Sequence, residues 1–194
     1  MKLEGKRIGW GITGSFCTLG AVLAPMEALV REGAQVVPVF SENAYNTDTR
    51  FFKAVDFIQA VRDITGCNPI CSIVDAEPIG PQKLLDMMLV APCTGNTAAK
   101  LANGITDTPV LMAAKSQLRN GGPLVIAIST NDGLVNNARN IGMLQGMKNI
   151  YFVPYEQDDA MNKPGSLVAR MEKIPDACAY ALEGKQVKPL LWRN

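Results

Sequence analysis

What most constrains this chain is an alternation of two periods. Short apolar runs, rich in Val and Ile, stand at Arg7–Ile12, Gln35–Phe40, Ile70–Val74, Met87–Ala91, Leu124–Ser129 and Ile150–Val153. Longer segments separate most of them, with apolar residues recurring at helical spacing. Leu124–Ser129, reading LVIAIS, is almost unbroken in its apolarity, as a strand covered on both faces must be. Strands alternating with helices demand crossover connections, hence an α/β fold: a three-layer, doubly wound, mostly parallel sheet of six strands. In such sheets ligands sit beyond the carboxyl ends of the strands. Four polar turns follow strand ends here: Thr13–Ser15, Ser41–Asn43, Pro92–Thr97 and Ser129–Asp132. The fold predicts that they converge on one rim.

Between the strands the expected helices are as follows. Ser15 or Thr18 caps a first helix that runs to about Glu32 and stops at Gly33, with Pro25 inside it predicting a kink or a restart. Thr47–Ile64 reads as a second helix, with Phe51, Phe52, Val55, Phe57, Ile58 and Val61 on one side. A short helix covers Pro81–Leu85. Asp107-Thr108-Pro109 starts another that reaches Leu118, with Pro at its first position. Leu134–Met147 is helical, Pro154–Gly165 is a polar loop, and Ser166 starts a last helix ending near Gly184. Pro38 inside the second run is unusual for a central strand. The whole of 1–194 reads as a single α/β domain with an extended tail from about 185, carrying Leu190, Leu191 and Trp192.

The central stretch is Ala91–Asp107, APCTGNTAAKLANGITD. It follows the apolar run Met87–Val90 and reads as strand, tight turn and helix, with Thr94 as N-cap and Gly104 as the stop. Free backbone N–H groups at such a helix start, with the helix dipole behind them, favour an anion or a phosphorylated cofactor. The plainer alternative is an ordinary strand-to-helix connection in which Thr94 only caps.

Composition removes several function classes. There is no His, which excludes Ser-His-Asp and Cys-His catalysis, His-based metal sites and His acid–base chemistry within this chain. Cys67 and Cys71 lie four apart with no second pair to complete a zinc site, so no metal is expected. Five Cys, an odd number, fit reduced thiols. Net charge is +1 with no Lys/Arg cluster, which argues against nucleic acid. No apolar run has spanning length and Met1–Lys6 is no signal peptide, so no membrane association and a cytosolic location are expected. Cys93 stands at a helix start, which could lower its pKa; a small residue packed beneath the turn is the preferred reading.

Gly9-Trp10-Gly11-Ile12-Thr13-Gly14 fits G-x-G-x-x-G, and Glu42 stands where an acid could hold an adenine-side ribose. A dinucleotide is therefore one reading. In the other, Gly9 and Gly11 lie within the strand for close helix packing, and Thr13-Gly14-Ser15 is the turn. A Gly-Ser turn suits a single phosphate such as that of FMN.

Gly14-Ser15 after the first strand, together with APCTGNTAAKLANGITD, resembles the homo-oligomeric flavin-containing Cys decarboxylase family. That family includes phosphopantothenoylcysteine decarboxylase, lantibiotic cysteine decarboxylases and flavin prenyltransferases. The resemblance implies a Rossmann-like flavoprotein domain with strand order 3-2-1-4-5-6. It implies homo-oligomers, trimers or multiples of trimers. It also implies FMN held by Gly14, Ser15, Ser41, Thr94, Asn96 and Thr97, with Asn96 matching the amide of the decarboxylases' substrate-binding turn. Two features depart from the family. The decarboxylases use a catalytic His, absent here, and their Pro-x-Met-Asn segment is replaced by Ser129-Thr130-Asn131-Asp132.

Over the whole chain, Gly5–Gly14 (GKRIGWGITG), Asn131–Gly142 (NDGLVNNARNIG), Asn149–Pro154 (NIYFVP) and Gly184–Pro189 (GKQVKP) are similar to one branch of that family. This likeness implies the B subunit of a two-subunit oxidoreductase from the mother cell of a spore-forming bacterium. With an A subunit that brings NAD(P), it would aromatise a small dihydropyridine dicarboxylate. Cationic partners for the dicarboxylate are Arg50, Arg139 and Lys163, with Asn96 and Asn137 as amides; no general base is assigned. The alternatives are a stand-alone FMN decarboxylase or prenyltransferase, and a non-catalytic scaffold that binds the A subunit through the tail around Trp192.

Overall fold

In the computed structural model, residues 3–192 are described. Along the chain run β1 (Arg7–Ile12), α1 (Leu23–Arg31), β2 (Gln35–Phe40), α2 (Glu42–Asn46), α3 (Ala54–Thr65), α4 (Ile73–Ala76), β3 (Met87–Cys93), α5 (Gly95–Ala102), α6 (Pro109–Arg119), β4 (Leu124–Thr130), α7 (Ala138–Gln145), β5 (Ile150–Phe152), β6 (Tyr155–Glu156), β7 (Leu167–Ala169) and α8 (Ile174–Leu182). Short 3-10 turns precede α1 and α8 and follow α4.

The sheet has seven strands in the order β2-β1-β3-β4-β7-β6, with β5 also paired to β4. β1, β2, β3, β4 and β5 run parallel; β7 pairs antiparallel with both β4 and β6. The order implied by the resemblance holds for the parallel strands, but its outermost strand shrinks to a single bridge, Val39 to Ile70. Ser72 is the reason. Its hydroxyl accepts from Asp75 N at 3.0 Å and donates to Asp75 Oδ2 at 2.6 Å, a cap that starts α4 at Ile73 and ends the extended run. β2 is thus almost an edge strand, where Pro38 costs the ladder little.

The central strand β3 is buried through its length, and its neighbours β1 and β4 are buried except at one terminal residue each. Ile8, Trp10, Ile12, Met87, Met88, Leu89, Leu124, Val125 and Ile126 are closed to solvent, as burial between two helical layers requires. The helices sort by their contacts into α1, α3 and α8 in one group and α4, α5, α6 and α7 in the other. Gly9 and Gly11 belong to β1. A Cβ at Gly11 would stand 2.7 Å from Val110 Cγ1 on α6 and 2.9 Å from Met88 Cε, so these glycines serve packing.

Four helical boundaries differ from expectation, each for a local reason. Neither Ser15 nor Thr18 caps α1; the chain leaves β1 in two 3-10 turns, and α1 begins two residues before Pro25, where the proline ring is tolerated. Thr47–Lys53 is not helical. Asp48 Oδ1 accepts from Ala54 N at 2.8 Å, and Thr49 Oγ1 accepts from Phe51 N and Phe52 N at 3.2 Å. Side chains bonding to nearby backbone compete with the helix there. α7 begins at Ala138 because Asp132 O accepts from Asn137 N at 3.1 Å, closing a turn ahead of it. The last helix begins at Ile174 with Pro175 in its first turn, while Leu167–Ala169 is drawn into the sheet. The short helix expected at Pro81–Leu85 lies earlier, at α4 and the 3-10 turn Glu77–Ile79, and the polar loop Pro154–Gly165 contains β6.

The tail returns to the sheet. Tyr155 bridges Leu191 in parallel, and the Trp192 ring lies 5.5 Å from both the Arg170 guanidinium and the Lys173 ammonium.

Candidate functional site

The four polar turns meet at the carboxyl end of the sheet. They line two adjoining cavities, of about 630 Å³ and about 310 Å³, which share Gly14 and Thr94. Thr13 fixes how β1 and β3 meet there. It is 1 % exposed, and its Oγ1 donates to Pro92 O at 2.7 Å and accepts from Thr94 N at 3.0 Å. Thr94 in turn caps α5: its Oγ1 accepts from Thr97 N at 3.2 Å and touches Thr97 Oγ1 at 2.9 Å. Ser41 caps α2 in the same way, accepting from Ala44 N at 3.3 Å.

Behind the start of α5 lies a closed polar brace. Asp132 Oδ1 accepts from Thr130 Oγ1 at 2.5 Å, and both Asp132 oxygens accept from Asn137 Nδ2 at 2.9 Å. Asn137 Oδ1 accepts from Asn140 Nδ2 at 2.8 Å. A Cβ on Gly95 would fall 2.5 Å from both Asn137 Nδ2 and Thr130 Oγ1. Residue 95 must therefore be glycine for α5 to begin against this brace.

The larger cavity is floored by a hydroxyl cluster. Ser15 Oγ and Ser129 Oγ are 2.8 Å apart, Thr18 Oγ1 is 3.0 Å from Ser15 Oγ, and Thr18 Oγ1 is 3.2 Å from Ser129 Oγ. Phe16, Arg50, Phe51, Asp158 and Lys163 stand around it. The smaller cavity is lined by Ser41, Glu42, Asn43, Asn96, Thr97, Lys100 and Asp107, among others. Its lysine is matched, Lys100 Nζ lying 2.6 Å from Asp107 Oδ2. Cys93 is buried beneath, and burial pushes its thiol up to about 12. The helix start does not activate it. Among the described residues no group of three or more His, Cys, Asp or Glu could hold a metal ion, and no helix is long and apolar enough to cross a membrane.

The family model for Flavoprotein matches residues 1–179. The chain belongs to the flavoprotein family. Within it the chain is a close homologue of the B subunit of dipicolinate synthase. It is 50% identical to that protein from Bacillus subtilis (strain 168) over 192 residues, covering 99% of this chain and 96% of the relative. The crystal structure of the corresponding B subunit from Bacillus halodurans matches with a TM-score of 0.92 at 48% identity, covering 100% of both chains. The FMN-dependent cysteine decarboxylase SpaF shares the fold more distantly, with a TM-score of 0.65 at 22% identity over 93% of this chain and 97% of its own. Membership of the flavoprotein family supports a flavin cofactor.

Set against this flavoprotein fold, the sequence-derived candidates divide. Gly14, Ser15, Ser41, Thr94, Asn96 and Thr97 all line one or both cavities, as do Arg50 and Lys163. Asn137 does not; its amide is engaged by Asp132 and Asn140, inside the brace. Arg139 lies exposed on α7, away from both linings. The sequence did not announce the Thr13 tie, the Thr18–Ser129 contact or the Asp132 brace against Gly95. Thr18 carried a signal, since it stands one helical turn after Ser15. Thr13 carried none, because its partners are about 80 residues away.

Proposed function

We propose that this chain is the flavin-binding B subunit of a dipicolinate synthase, working with an A subunit that brings NAD(P) to oxidise dihydrodipicolinate to dipicolinate. The reading places it in the mother-cell cytoplasm of a sporulating bacterium, as a homo-oligomer built of trimers. Two cavities joined across Gly14 and Thr94, at the start of α5, are the observation that carries the cofactor half of the proposal. Around the start of α5 the donors are the hydroxyls of Ser41, Thr94 and Thr97, the Asn96 amide and helix-start N–H groups, a set suited to a phosphate monoester on a polyol arm. A cavity of this size suits a ring and its tail. Gly14 adds an independent argument. It has no positive φ, and a Cβ there would find Phe16 Cζ no nearer than 3.4 Å. Among the described residues nothing requires glycine at this point, whereas the close approach of a ligand to the backbone would.

Ser41, Asn96, Thr94 and Thr97 would hold the phosphate end. Ser15, Thr18 and Ser129 would face the ring from the larger cavity. Bound flavin supplies a two-electron acceptor. Aromatising the dihydropyridine removes a hydride equivalent and a proton, so the chain's task is to place the ring and keep bulk water out. The missing His and the Ser129–Asp132 segment speak against decarboxylation in the manner of the decarboxylases. Trp192, already engaged by Arg170 and Lys173, is a poor free anchor for a pure scaffold.

The test is a titration of the purified chain with FMN, read by quenching of flavin fluorescence, beside the Gly14→Ala variant. The proposal expects saturable binding by the native chain. It expects at least tenfold weaker binding by the variant, with an unfolding midpoint in urea close to native. A chain that fails to bind FMN both alone and with its A subunit overturns it. Turnover of dihydrodipicolinate only when both subunits are present would confirm the division of labour.

A further inference from the structure

The larger cavity has a cationic mouth that the flavin reading leaves unused. Arg50 and Phe51, from the segment between α2 and α3, line it together with Asp158 and Lys163 from the loop between β6 and β7. The Arg50 guanidinium lies 4.8 Å from the centre of the Phe51 ring, and Phe51 is 45 % exposed. Among the described residues Arg50 joins no ion pair. Lys163 does, with Asp158 at 3.0 Å, but both partners are well exposed, and such pairs exchange readily. The lining thus sets two cations against one carboxylate. Lys100, the cation of the smaller cavity, is already matched by Asp107. An unmatched guanidinium beside an aromatic face, over a floor of hydroxyls, fits a flat ring bearing carboxylates. The guanidinium can take a carboxylate through two parallel N–H groups, and the phenyl face can cover the ring.

We propose that Arg50, with Phe51 as stacking face and Lys163 as secondary cation, anchors one carboxylate of the planar dicarboxylate substrate at the mouth of the larger cavity, and that Asp158 weakens that attachment. This deepens the proposed function and rests on its choice of substrate. It separates the two anions of the reaction. The flavin phosphate goes to the neutral donors of the smaller cavity, and the substrate carboxylate goes to the guanidinium. It also selects among the cations of the sequence, keeping Arg50 and Lys163 and discarding Arg139.

The test uses dipicolinate (pyridine-2,6-dicarboxylate) as a stable probe, titrated by calorimetry into the full chain in metal-free buffer at low salt, with and without saturating FMN. Loss of a charge-assisted, two-bond contact should weaken probe binding by Arg50→Ala roughly 10- to 100-fold, while its affinity for FMN stays within about twofold of native. Arg50→Lys should recover part of the loss. Asp158→Asn should tighten probe binding a few-fold, a change of sign that general damage to the site would not produce. Native probe affinity in Arg50→Ala overturns the inference, as does loss of FMN affinity in parallel, which would assign Arg50 to the phosphate. Should the native chain bind the probe but no FMN, the cofactor reading fails while the Arg50 comparison still decides this one.

Discussion

Replacing Thr13 by Val isolates the contact that ties β1 to the turn above α5. The two side chains have nearly the same shape, so the change removes a hydroxyl and leaves packing in place. Pro92 O loses the donor it holds at 2.7 Å, and Thr94 N loses the acceptor at 3.0 Å. Pro92 is buried and Thr94 is half-buried. Leaving a buried group unpaired costs about 1–3 kcal/mol. The carbonyl bears that in full, and the amide less, since water can reach it. A gained methyl returns about 1 kcal/mol. The net destabilisation is about 2 kcal/mol, which in a chain of this size lowers the melting temperature by roughly 4–8 °C. Thr13→Ser keeps the hydroxyl and gives up only the methyl, for about 1 kcal/mol. The assay is urea unfolding of native, Thr13→Val and Thr13→Ser chains at one protein concentration, since any assembly shifts the midpoint. On the proposed reading of the site, FMN should rescue Thr13→Val less than it rescues native, because the loosened turn would be part of the cradle. A Thr13→Val variant within about 0.5 kcal/mol of native, or more stable than Thr13→Ser, would refute the claim that this hydroxyl holds the turn.

Three further outcomes follow from the structure. Gly95→Ala should destabilise by about 2 kcal/mol in urea unfolding even though alanine is the better helix former, because its Cβ meets Thr130, Asp132 and Asn137, which are locked to one another and cannot all yield; native stability in that variant would show that the brace is soft. Cys93, with its thiol pushed up to about 12 by burial, should resist disulfide reagents at pH 8 in the folded chain while the exposed Cys17 reacts. The raised value also fixes a sign: the unfolded chain releases this proton near pH 9 and the folded chain does not, so the contribution is complete below pH 9 and falls away between about 9 and 12, at up to about 1.4 kcal/mol per pH unit. Denaturation curves at pH 7, 9 and 10 should show that decline, shallower in Cys93→Ala; the buried Cys178, raised for the same reason, adds to it in both chains.

What could be read from the sequence, and what could not, divides by the range of the interaction responsible. Five of the six expected parallel strands, the Thr94 cap and the Thr108–Pro109 start are set by residues within a turn of one another, and the structure places these as expected, while Ile70–Val74 keeps only one bridge. The Thr47–Lys53 segment misled because its apolar spacing is helical while Asp48 and Thr49 hold the backbone elsewhere; here side-chain hydrogen bonding outweighs periodicity. β6 and β7 were illegible because two- and three-residue strands carry no period, and only the open edge of β4 makes them strands. The site itself shows the same division. Its lining lies on turns whose positions follow from the fold, so Gly14, Ser41 and Thr94–Thr97 could be named in advance. Its rigidity comes from ties across long stretches of chain, Thr13 to Pro92, Ser15 to Ser129 and Gly95 to the Asp132 brace, which no local pattern announces. That division also accounts for Asn137, while Arg139 lies exposed on α7, outside both linings. Both sit in a stretch that looks like binding machinery, but the Ser129–Asp132 turn directs Thr130 and Asp132 inward, toward Asn137 and the start of α5. A residue enlisted to hold the turn is not free to reach into the cavity, so a cation for a carboxylate there would come from Arg50 or Lys163, which line it.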